Sequence, residues 1–384
     1  MTDRRVIPPG STIGMLGGGQ LGRMTAMAAR SCGYRVKVLD PDPRCAARPV
    51  ADECLCSDFA DVDAVTQLAQ QSDVVTVELE NIPVASLKAA AKHAPLRPGA
   101  EVIQIIQDRA RQKEWLREQH LPCAPFRVAQ DAASLADSLA ALGSPCFVKT
   151  TRGGYDGRGQ IIAARSEEAA QILADLGGSP VVVEQAIAIE QELSVLVARS
   201  VFGEVVVFPA ACSQHDQRVL TWSMLPASQL SPTIAAQAAD IARAAAESLQ
   251  LVGLLAVEFF LTTKGELLIN ELAPRPHNTF HTTERALGVS QFEQHVRAVC
   301  GLPLGDPRVI CPSAIVNLLG DLWLPSRTPN WTRALQVPTV RMHLYEKNQP
   351  RPGRKMGHLS AVGMTTQEAL DRVLLAHSLL QSDR

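Results

Sequence analysis

Asn270-Glu-Leu-Ala-Pro-Arg-Pro-His-Asn278 decides the fold, because it concentrates metal-ligating and anion-binding groups at what reads as a strand end. Upstream, Leu255-Ala-Val-Glu-Phe-Phe-Leu261 and Glu266-Leu-Leu-Ile-Asn270 are apolar runs separated by Thr262-Thr-Lys-Gly265, the pattern of a hairpin. Glu258 and Glu271 then stand on opposite arms. A loop of two or four residues places both carboxylates on one face, directly opposed or as diagonal neighbours within roughly 8 Å, whereas a loop of three or five breaks this. Two carboxylates on one half-buried face repel each other and raise a pKa unless a cation lies between them. Magnesium suits the place, since it takes oxygen ligands and is held by one or two carboxylates together with substrate phosphates. Manganese is the alternative that the same oxygen donors admit.

A phosphate partner lies earlier in the chain. Pro145-Cys-Phe-Val-Lys149 reads as a short strand ending in a lysine, and Ile161-Ile-Ala-Ala164 as its return strand. Between them, residues 153–159 hold four glycines in seven positions. Backbone amides in such a loop approach phosphate oxygens without side-chain obstruction, and Lys149 supplies the point charge. The loop lacks the Gly-Lys-Ser/Thr ending of a Walker loop. It also lacks the kinase order, in which the lysine follows the glycine loop and His-Arg-Asp and Asp-Phe-Gly come later. Seen alone, it reads as an ordinary hairpin tip; the downstream carboxylate pair changes that.

The first hundred residues alternate strand and helix signals. Residues 12–16, 34–39 and 73–77 read as strands, and helices begin near Gln20, Asp61 and Pro83, so a parallel α/β sheet is expected. Gly17-x-Gly19-x-x-Gly22, with Asp40 closing the second strand, matches the dinucleotide fingerprint. Alone it points to an NAD-dependent oxidoreductase, a reading that leaves Lys149, the second glycine loop and the carboxylate hairpin unused. The same helix N-terminus also suits a nucleotide monophosphate. A charged helix over 109–119 precedes a break at His120-Leu-Pro122, segments 135–142 and 166–176 read as helices, and Val181-Val-Val-Glu-Gln185 begins another strand. The alanine-rich helix over 232–251 is scaffold, its alanines packing residues.

Composition fits a soluble metabolic enzyme. The 384 residues suffice for two or three domains, and 46% hydrophobic content is ample for their cores. A net charge of -2 gives no broad positive field for a nucleic-acid backbone. Nine cysteines without a Cys-x-x-Cys pair argue against a disulfide framework and for a reduced cytoplasm. The start carries no signal-peptide core and no run approaches a membrane span.

Taken in order, Gly17-Gly-Gly-Gln-Leu-Gly-Arg-Met24, Asp108-Arg109 with Gln112-Lys113, Lys149 ahead of Gly153-Gly-Tyr-Asp-Gly-Arg-Gly-Gln160, Glu184 with Glu192, and residues 270–278 resemble the ATP-grasp superfamily. Within it the chain is most similar to the N5-carboxyaminoimidazole ribonucleotide synthetases of purine biosynthesis, over about residues 12–360. The resemblance implies α/β and α+β folding in three domains: an N-terminal parallel α/β domain over 1–112, an ATP-grasp domain over 113–298 and a small C-terminal domain over 299–384. It implies a homodimeric ligase that uses ATP to join bicarbonate to the exocyclic amine of 5-aminoimidazole ribonucleotide through carboxyphosphate.

The resemblance also assigns residues. Glu258 and Glu271 hold the metal. Arg109, Lys149, Gly154, Tyr155, Asp156, Gly157, Arg158, Gly159, Gln160, Glu184, Gln185, Ala186, Ile187, Glu192, His215, Asn270 and Glu271 meet ATP, with adenine beside 184–187 and its ribose on Glu192. Gln20, Leu21, Tyr155, Asp156, Arg275, Lys347 and Arg354 meet the ribonucleotide, the last lysine and arginine at its 5′-phosphate. Arg275, His277 and Asn278 form the bicarbonate and carboxyphosphate site, with Lys149 completing the catalytic set. Two departures stand out. Around His215 the usual His-x-x-Gly-Ile-Leu reads His-Asp-Gln-Arg-Val-Leu, with Arg218 and Val219 as departures, and Thr279-Phe280 replaces the usual Ser-Gly. Other readings that the residues admit are a formate-using ligase on glycinamide ribonucleotide and a non-catalytic nucleotide-binding protein.

Overall fold

A computed structural model describes residues 4–153, 159–178, 180–216 and 219–381. Gly154, Tyr155, Asp156, Gly157, Arg158 and Arg218 therefore lie outside the described residues. Near the N-terminus, β1 (Thr12–Leu16), β2 (Arg35–Asp40), β3 (Glu53–Cys56) and β4 (Val74–Val77) pair in the order β3-β2-β1-β4, all parallel. β1 and β4 are buried at every position, as strands covered by helices on both faces must be. One cover combines helix Gln20–Ser31 with the distant helix Gln291–Cys300, whose Val296 and Val299 pack with Ile13, Val36 and Val38. The other is built from helices Val62–Gln70, Val84–Ala90 and Ala100–Ile106 through Leu68, Leu87 and Ile103. This is the parallel α/β domain that the alternation of elements predicts.

A second, antiparallel sheet follows, with β5 (Phe126–Ala129), β6 (Cys146–Thr150), β7 (Gln160–Ala163) and β8 (Val181–Gln185) in the order β5-β8-β6-β7. β6 and β7 are the arms of the glycine hairpin, and Lys149 pairs with Gln160 across it. Helices Ala132–Leu142 and Ala169–Asp175 cover one face through Leu135, Leu139 and Ile172. Lys149, Glu184 and Gln185 face a cavity instead.

The third sheet has nine strands: β9 (Ile189–Arg199), β10 (Val205–Val207), β11 (Ala211–Asp216), β12 (Val219–Leu225), β13 (Gly253–Thr262), β14 (Leu267–Ala273), β15 (Ser313–Leu319), β16 (Arg341–Leu344) and β17 (Lys355–Val362). Its order is β14-β13-β9-β11-β12-β15-β17-β16, with β10 pairing β9 at one end. The C-terminal strands thus extend the sheet that carries Glu258 and Glu271. Helix Pro232–Ser248 packs on this sheet through Ala238, Ala242 and Ala245, all fully buried, and helix Thr366–Leu380 shares the same core. The alanine helix is scaffold, as expected.

The β13–β14 loop corrects the expected parity. Leu261 pairs with Leu267, which encloses five residues, 262–266, an odd number that by itself sends Glu258 and Glu271 to opposite faces. Thr262 N–H donates to the Glu266 carbonyl at 2.9 Å, leaving three residues beyond that pair, also odd. Gly265 takes the left-handed turn position there (φ 79°). A bulge restores the face: Phe259 pairs with Ile269, but Glu258 pairs with Glu271, so Asn270 is the extra residue. The expected outcome holds for a different reason.

After β14 the chain makes a short 3₁₀ turn, Asn278–Thr282, that buries Phe280 completely. Phe280 fills the space between Leu196, Leu225, Leu254 and Ala256, and Ser223 Oγ donates to the Thr279 carbonyl at 2.8 Å. The Thr279-Phe280 departure therefore anchors the loop in the core. We expect Phe280→Ala to cost about 3–5 kcal/mol and Phe280→Leu less than about 1.5 kcal/mol in denaturant unfolding. An alanine variant within about 1 kcal/mol of the parent would remove Phe280 from the core.

Candidate active site

A cavity of about 390 Å³ lies between the four-stranded sheet and the nine-stranded one. One wall carries Lys149 from β6, Glu184 and Gln185 from β8 and Arg109 from helix Arg109–Glu118. That helix starts at Asp108, whose side chain accepts from the Ala110 and Arg111 amides and ion-pairs with Arg152 at 3.1 Å. Arg109 Nη1 donates to the Thr150 carbonyl at 2.9 Å, fastening the helix to the hairpin. Glu184 is buried to 4% exposure between two lysines: its Oε2 lies 3.1 Å from Lys149 Nζ and 3.4 Å from Lys113 Nζ. Burial pushes its pKa up, but Lys113 and Lys149 outweigh this and hold it below the usual carboxylate range. Burial and Lys113 lower the Lys149 pKa, against the pull of Glu184. Two cations sharing one carboxylate leave an unbalanced positive charge in a dry place, which an anion relieves.

The opposite wall carries the carboxylate pair. Glu258 accepts from Asn270 Nδ2 at 3.3 Å, and its Oε1 lies 3.2 Å from His277 Nε2. Burial raises the Glu258 pKa, yet His277, His215 and Asn270 together bring it well below the usual range. Glu271 keeps solvent contact, and burial of its surroundings followed by repulsion from Glu258 raises its pKa. One carboxylate held ionised and its neighbour disfavoured as an anion is the state that a hard divalent cation between them would relieve, and oxygen donors are what such a cation takes. The residues present fit the metal.

Glu192 and His215, on neighbouring strands β9 and β11, are hydrogen-bonded through His215 Nδ1. Burial lowers the His215 pKa, but the Glu192 hydrogen bond and the charges of Glu192 and Glu258 prevail and raise it. The β11–β12 ladder shifts register between Gln214 and His215, which bends the strand beside His215. Arg275 ion-pairs through Nε with Glu80 at 2.8 Å. His277 is fixed through its backbone: Gln291 Oε1 accepts from its amide at 2.8 Å and Gln291 Nε2 donates to its carbonyl at 2.9 Å. Glu271, Asn270, Asn278, Gln160 and Ile187 also line the cavity. Ala186 is tied through its amide to the Pro145 carbonyl at 3.0 Å, and Gly159 through its carbonyl to the Thr150 amide at 2.8 Å.

A second cavity, about 220 Å³, is lined by Gly18, Gly19, Arg44, Lys347, Arg351 and Arg354, among others. It contains the expected Lys347 and Arg354 with Arg351 of the same basic run, while Arg44 is a cation that the motifs did not single out. Lys347 Nζ donates to Gln20 Oε1 and, at 3.0 Å, to the Lys355 carbonyl, and Gln20 Nε2 donates to Asn278 Oδ1 at 2.8 Å. The two cavities thus touch through Gln20. Leu21 is placed elsewhere: its side chain packs with Met24, Phe292 and Tyr345, and its amide donates to Glu78 at 3.1 Å.

Glu78, unremarked in the motif reading, also removes the NAD alternative. Its carboxylate accepts from the Gly19 and Leu21 amides at the helix start. A Cβ at Gly17, Gly19 or Gly22 would lie no farther than 3.2 Å from that carboxylate. The fingerprint glycines make room for an internal anion, at the place where a dinucleotide would need its own pyrophosphate. Glu80 and Gln291 are the other site-building residues that the motifs left out, and Lys113 stood in a motif without a role assigned to it.

Three sheets, a lysine-bearing glycine hairpin and a carboxylate pair across one cleft define an ATP-grasp protein. Family matches agree: an ATP-grasp domain over 114–292, a ribonucleotide synthetase preATP-grasp domain over 11–107 and a phosphoribosylaminoimidazole carboxylase C-terminal domain over 313–372. The N5-carboxyaminoimidazole ribonucleotide synthase of Bacillus subtilis (strain 168) is 39% identical over 371 residues, 96% of each chain. That of Brucella melitensis is 40% identical over 366 residues, 94% of this chain and 98% of the relative. A crystal structure of an N5-carboxyaminoimidazole ribonucleotide synthetase with ADP superposes with a TM-score of 0.90 at 39% identity, covering 97% of this chain and 98% of that one. The Aspergillus clavatus enzyme in complex with ADP and 5-aminoimidazole ribonucleotide gives 0.87 at 29% identity, covering 96% and 98%. The chain belongs to the N5-carboxyaminoimidazole ribonucleotide synthase family. Among the described residues no helix is long and apolar enough to cross a membrane.

Glu184→Gln leaves two buried lysines without a counter-charge, so it should destabilise the protein by roughly 3–5 kcal/mol. The folded pKa of Glu184 is depressed, so its contribution is present above the unfolded value and is lost as pH falls through the folded one. The gap in melting temperature between parent and variant should be constant above about pH 5 and close in more acidic buffer. A gap that widened on acidification would contradict the ion-pair assignment.

Proposed function

We propose that this chain carboxylates the exocyclic amine of 5-aminoimidazole ribonucleotide with bicarbonate, converting ATP to ADP and phosphate and yielding N5-carboxyaminoimidazole ribonucleotide. The observation that carries this reading is the junction of two anion sites, one walled by Lys149 and the Glu258–Glu271 pair, the other by Lys347, Arg351 and Arg354, joined through Gln20 and Asn278. One accepts a nucleoside triphosphate and the other a ribonucleotide 5′-phosphate. Arg109, Lys149, Gly159, Gln160, Glu192, His215 and the backbone of 184–187 serve ATP. Glu184 itself acts as counter-ion to Lys113 and Lys149. Gly154 to Arg158, outside the described residues, are assigned to ATP from the sequence.

In the chemistry, a bicarbonate oxygen attacks the γ-phosphorus, the bond to the β-phosphate oxygen breaks and ADP leaves. The amine nitrogen then bonds to the carboxyphosphate carbon, phosphate leaves with the C–O electron pair, and the nitrogen gives up a proton. A magnesium ion on Glu258 and Glu271 would supply charge neutralisation at the transferring phosphoryl group. Arg275, pre-aimed by Glu80, offers a planar fork to bicarbonate, and His277 and Asn278 close the anion site. The three domains are proposed as 1–112, 113–298 and 299–384, supported by the three family matches. A homodimer in the cytoplasm is proposed from the resemblance alone.

ATP hydrolysis should be slow without cosubstrates and rise when aminoimidazole ribonucleotide and bicarbonate are added together, with one ADP per acid-labile carbamate. Stimulation by formate with glycinamide ribonucleotide instead would transfer the chain to the formate-using ligases. Glu271→Gln should lower turnover far more than stability. Lys347→Ala should raise the ribonucleotide KM by a contact worth on the order of 1.5–3 kcal/mol while sparing the ATP KM; equal weakening of both ligands would make Lys347 a structural residue.

A further inference from the structure

Behind the junction of the two cavities lies a buried polar cluster that the reaction outlined above does not use: His281, Tyr345 and His358, each no more than 1% exposed. His281 Nε2 lies 3.3 Å from Asn278 Oδ1, and Tyr345 Oη lies 3.2 Å from His281 Nε2 and 2.7 Å from His358 Nδ1. The His281 and His358 rings stack at 4.5 Å. Donor and acceptor capacity fixes the hydrogen positions as far as His281, and the 2.7 Å contact of the Tyr345 hydroxyl with His358 Nδ1 assigns the last step. A lysine ammonium can only donate, so Gln20 presents Oε1 to Lys347 and Nε2 to Asn278. Asn278 therefore receives on Oδ1, and His281, which meets the same oxygen, carries its proton on Nε2. The Tyr345 hydroxyl cannot donate to a protonated Nε2. It donates to His358 Nδ1, and a neutral His358 carries its proton on Nε2.

We propose that Tyr345 and His358 are positioning residues of the ligase: through this one-way hydrogen-bond chain they hold Asn278 and Gln20 in the single amide orientation that leaves Asn278 Nδ2 as a donor for the reaction cavity and keeps Lys347 at the ribonucleotide pocket. The backbone agrees. Between Tyr345 and Lys347, Glu346 adopts a left-handed conformation (φ 56°), strain that persists only where the surroundings over-determine it. The Tyr345 side chain, packed with Leu21, Met24 and Phe292, fixes one side of that turn. The Glu346–Arg23 ion pair at 2.8 Å fixes the other, and Lys347 Nζ sits 5.6 Å from the Tyr345 ring centroid. Burial keeps both histidines neutral by lowering their pKa values, which a chain of single-proton donors requires. Glu284, His343 and His358 also bring three metal-ligating atoms within 4.8 Å of one another. With its Nδ1 accepting from Tyr345 and its Nε2 protonated, His358 has no lone pair left for a cation.

The inference rests on the ligand sites proposed above, so its test has one arm that does not depend on turnover. In long-range 1H–15N spectra of the histidine-labelled full chain, assigned with His281→Asn and His358→Asn, both residues should be neutral Nε2–H tautomers. In steady-state kinetics Tyr345→Phe should raise the aminoimidazole ribonucleotide KM about three- to tenfold and leave the ATP KM within about twofold. His358→Asn, whose Oδ1 replaces the Nδ1 acceptor, should stay near the parent, whereas His358→Leu should behave like Tyr345→Phe. An Nδ1–H tautomer at either histidine overturns the chain. So does equal weakening of both substrates in Tyr345→Phe. A chain without ligase activity but with both Nε2–H tautomers would fail the functional reading and leave the hydrogen-bond assignment standing.

Discussion

One unpaired residue governs the site. Side chains of a strand alternate between faces, so an odd loop between Leu261 and Leu267 commits Glu258 and Glu271 to opposite sides of the sheet. On the far side Glu271 would join Leu267 and Ile269 in the core beneath the alanine helix, where an unpaired carboxylate is costly. Asn270, inserted opposite Glu258, turns Glu271 to the cavity and lets Leu272 return to that core. Asn270 also donates to Glu258, so the residue that repairs the register hydrogen-bonds to the carboxylate it aligns. The chain then leaves the sheet at the correct face for Arg275, His277 and Asn278 to follow.

Charge is deliberately incomplete on both walls. Lys113 and Lys149 share one carboxylate on one wall, and Glu258 and Glu271 crowd each other on the other. Neither imbalance is large, because Glu184 and His277 already answer part of it. A triphosphate with its cation fits both at once: phosphate oxygens toward the lysines, cation toward the carboxylates. Binding strength drawn from such preorganised charge is available at the transferring phosphoryl group, where charge is redistributed as the reaction proceeds. Elsewhere a carboxylate is met from within, as where Glu78 accepts from the first amides of helix Gln20–Ser31, although burial still holds its pKa above the usual range. The same glycine motif thus serves an internal carboxylate on one side, while Gly18 and Gly19 line the second cavity on the other.

Much of this was legible in the sequence, for identifiable reasons. Strands buried on both faces, as in β1 and β4, announce themselves as unbroken apolar runs, and the glycine hairpin shows as two such runs around a lysine. β3 did not, because its four residues include none that is buried. The bulge had a signal that parity counting ignored: Leu267, Ile269 and Leu272 face one core, and the step from two to three residues in that spacing marks the extra residue. Glu80 and Gln291 carried no local signal, and Lys113 none for its role, since each acts on a partner outside its own segment. The dinucleotide fingerprint misled for the same reason. What its glycines accommodate is Glu78, which no spacing rule within residues 17–22 can reveal.

The sheet topology explains which parts must be rigid and which can move. Glu258 and Glu271 on β13 and β14, and the turn carrying Lys347 between β16 and β17, belong to one continuous nine-stranded sheet. Changing their spacing would break ladder hydrogen bonds, so the carboxylate pair and the second cavity keep a fixed separation. Lys149 rides on a separate four-stranded sheet with its own core. Its backbone links to the large sheet among the described residues include the Cys123–Ile269 bridge and the Thr263 amide to the Ala188 carbonyl at 3.0 Å. Displacing this lobe disturbs little packing, whereas displacing the acceptor pocket would disturb a sheet. For the proposed reaction this assigns closure to the lobe that carries Lys149 and leaves the carboxyl acceptor in the rigid part, where its amine can be held in line before an intermediate forms.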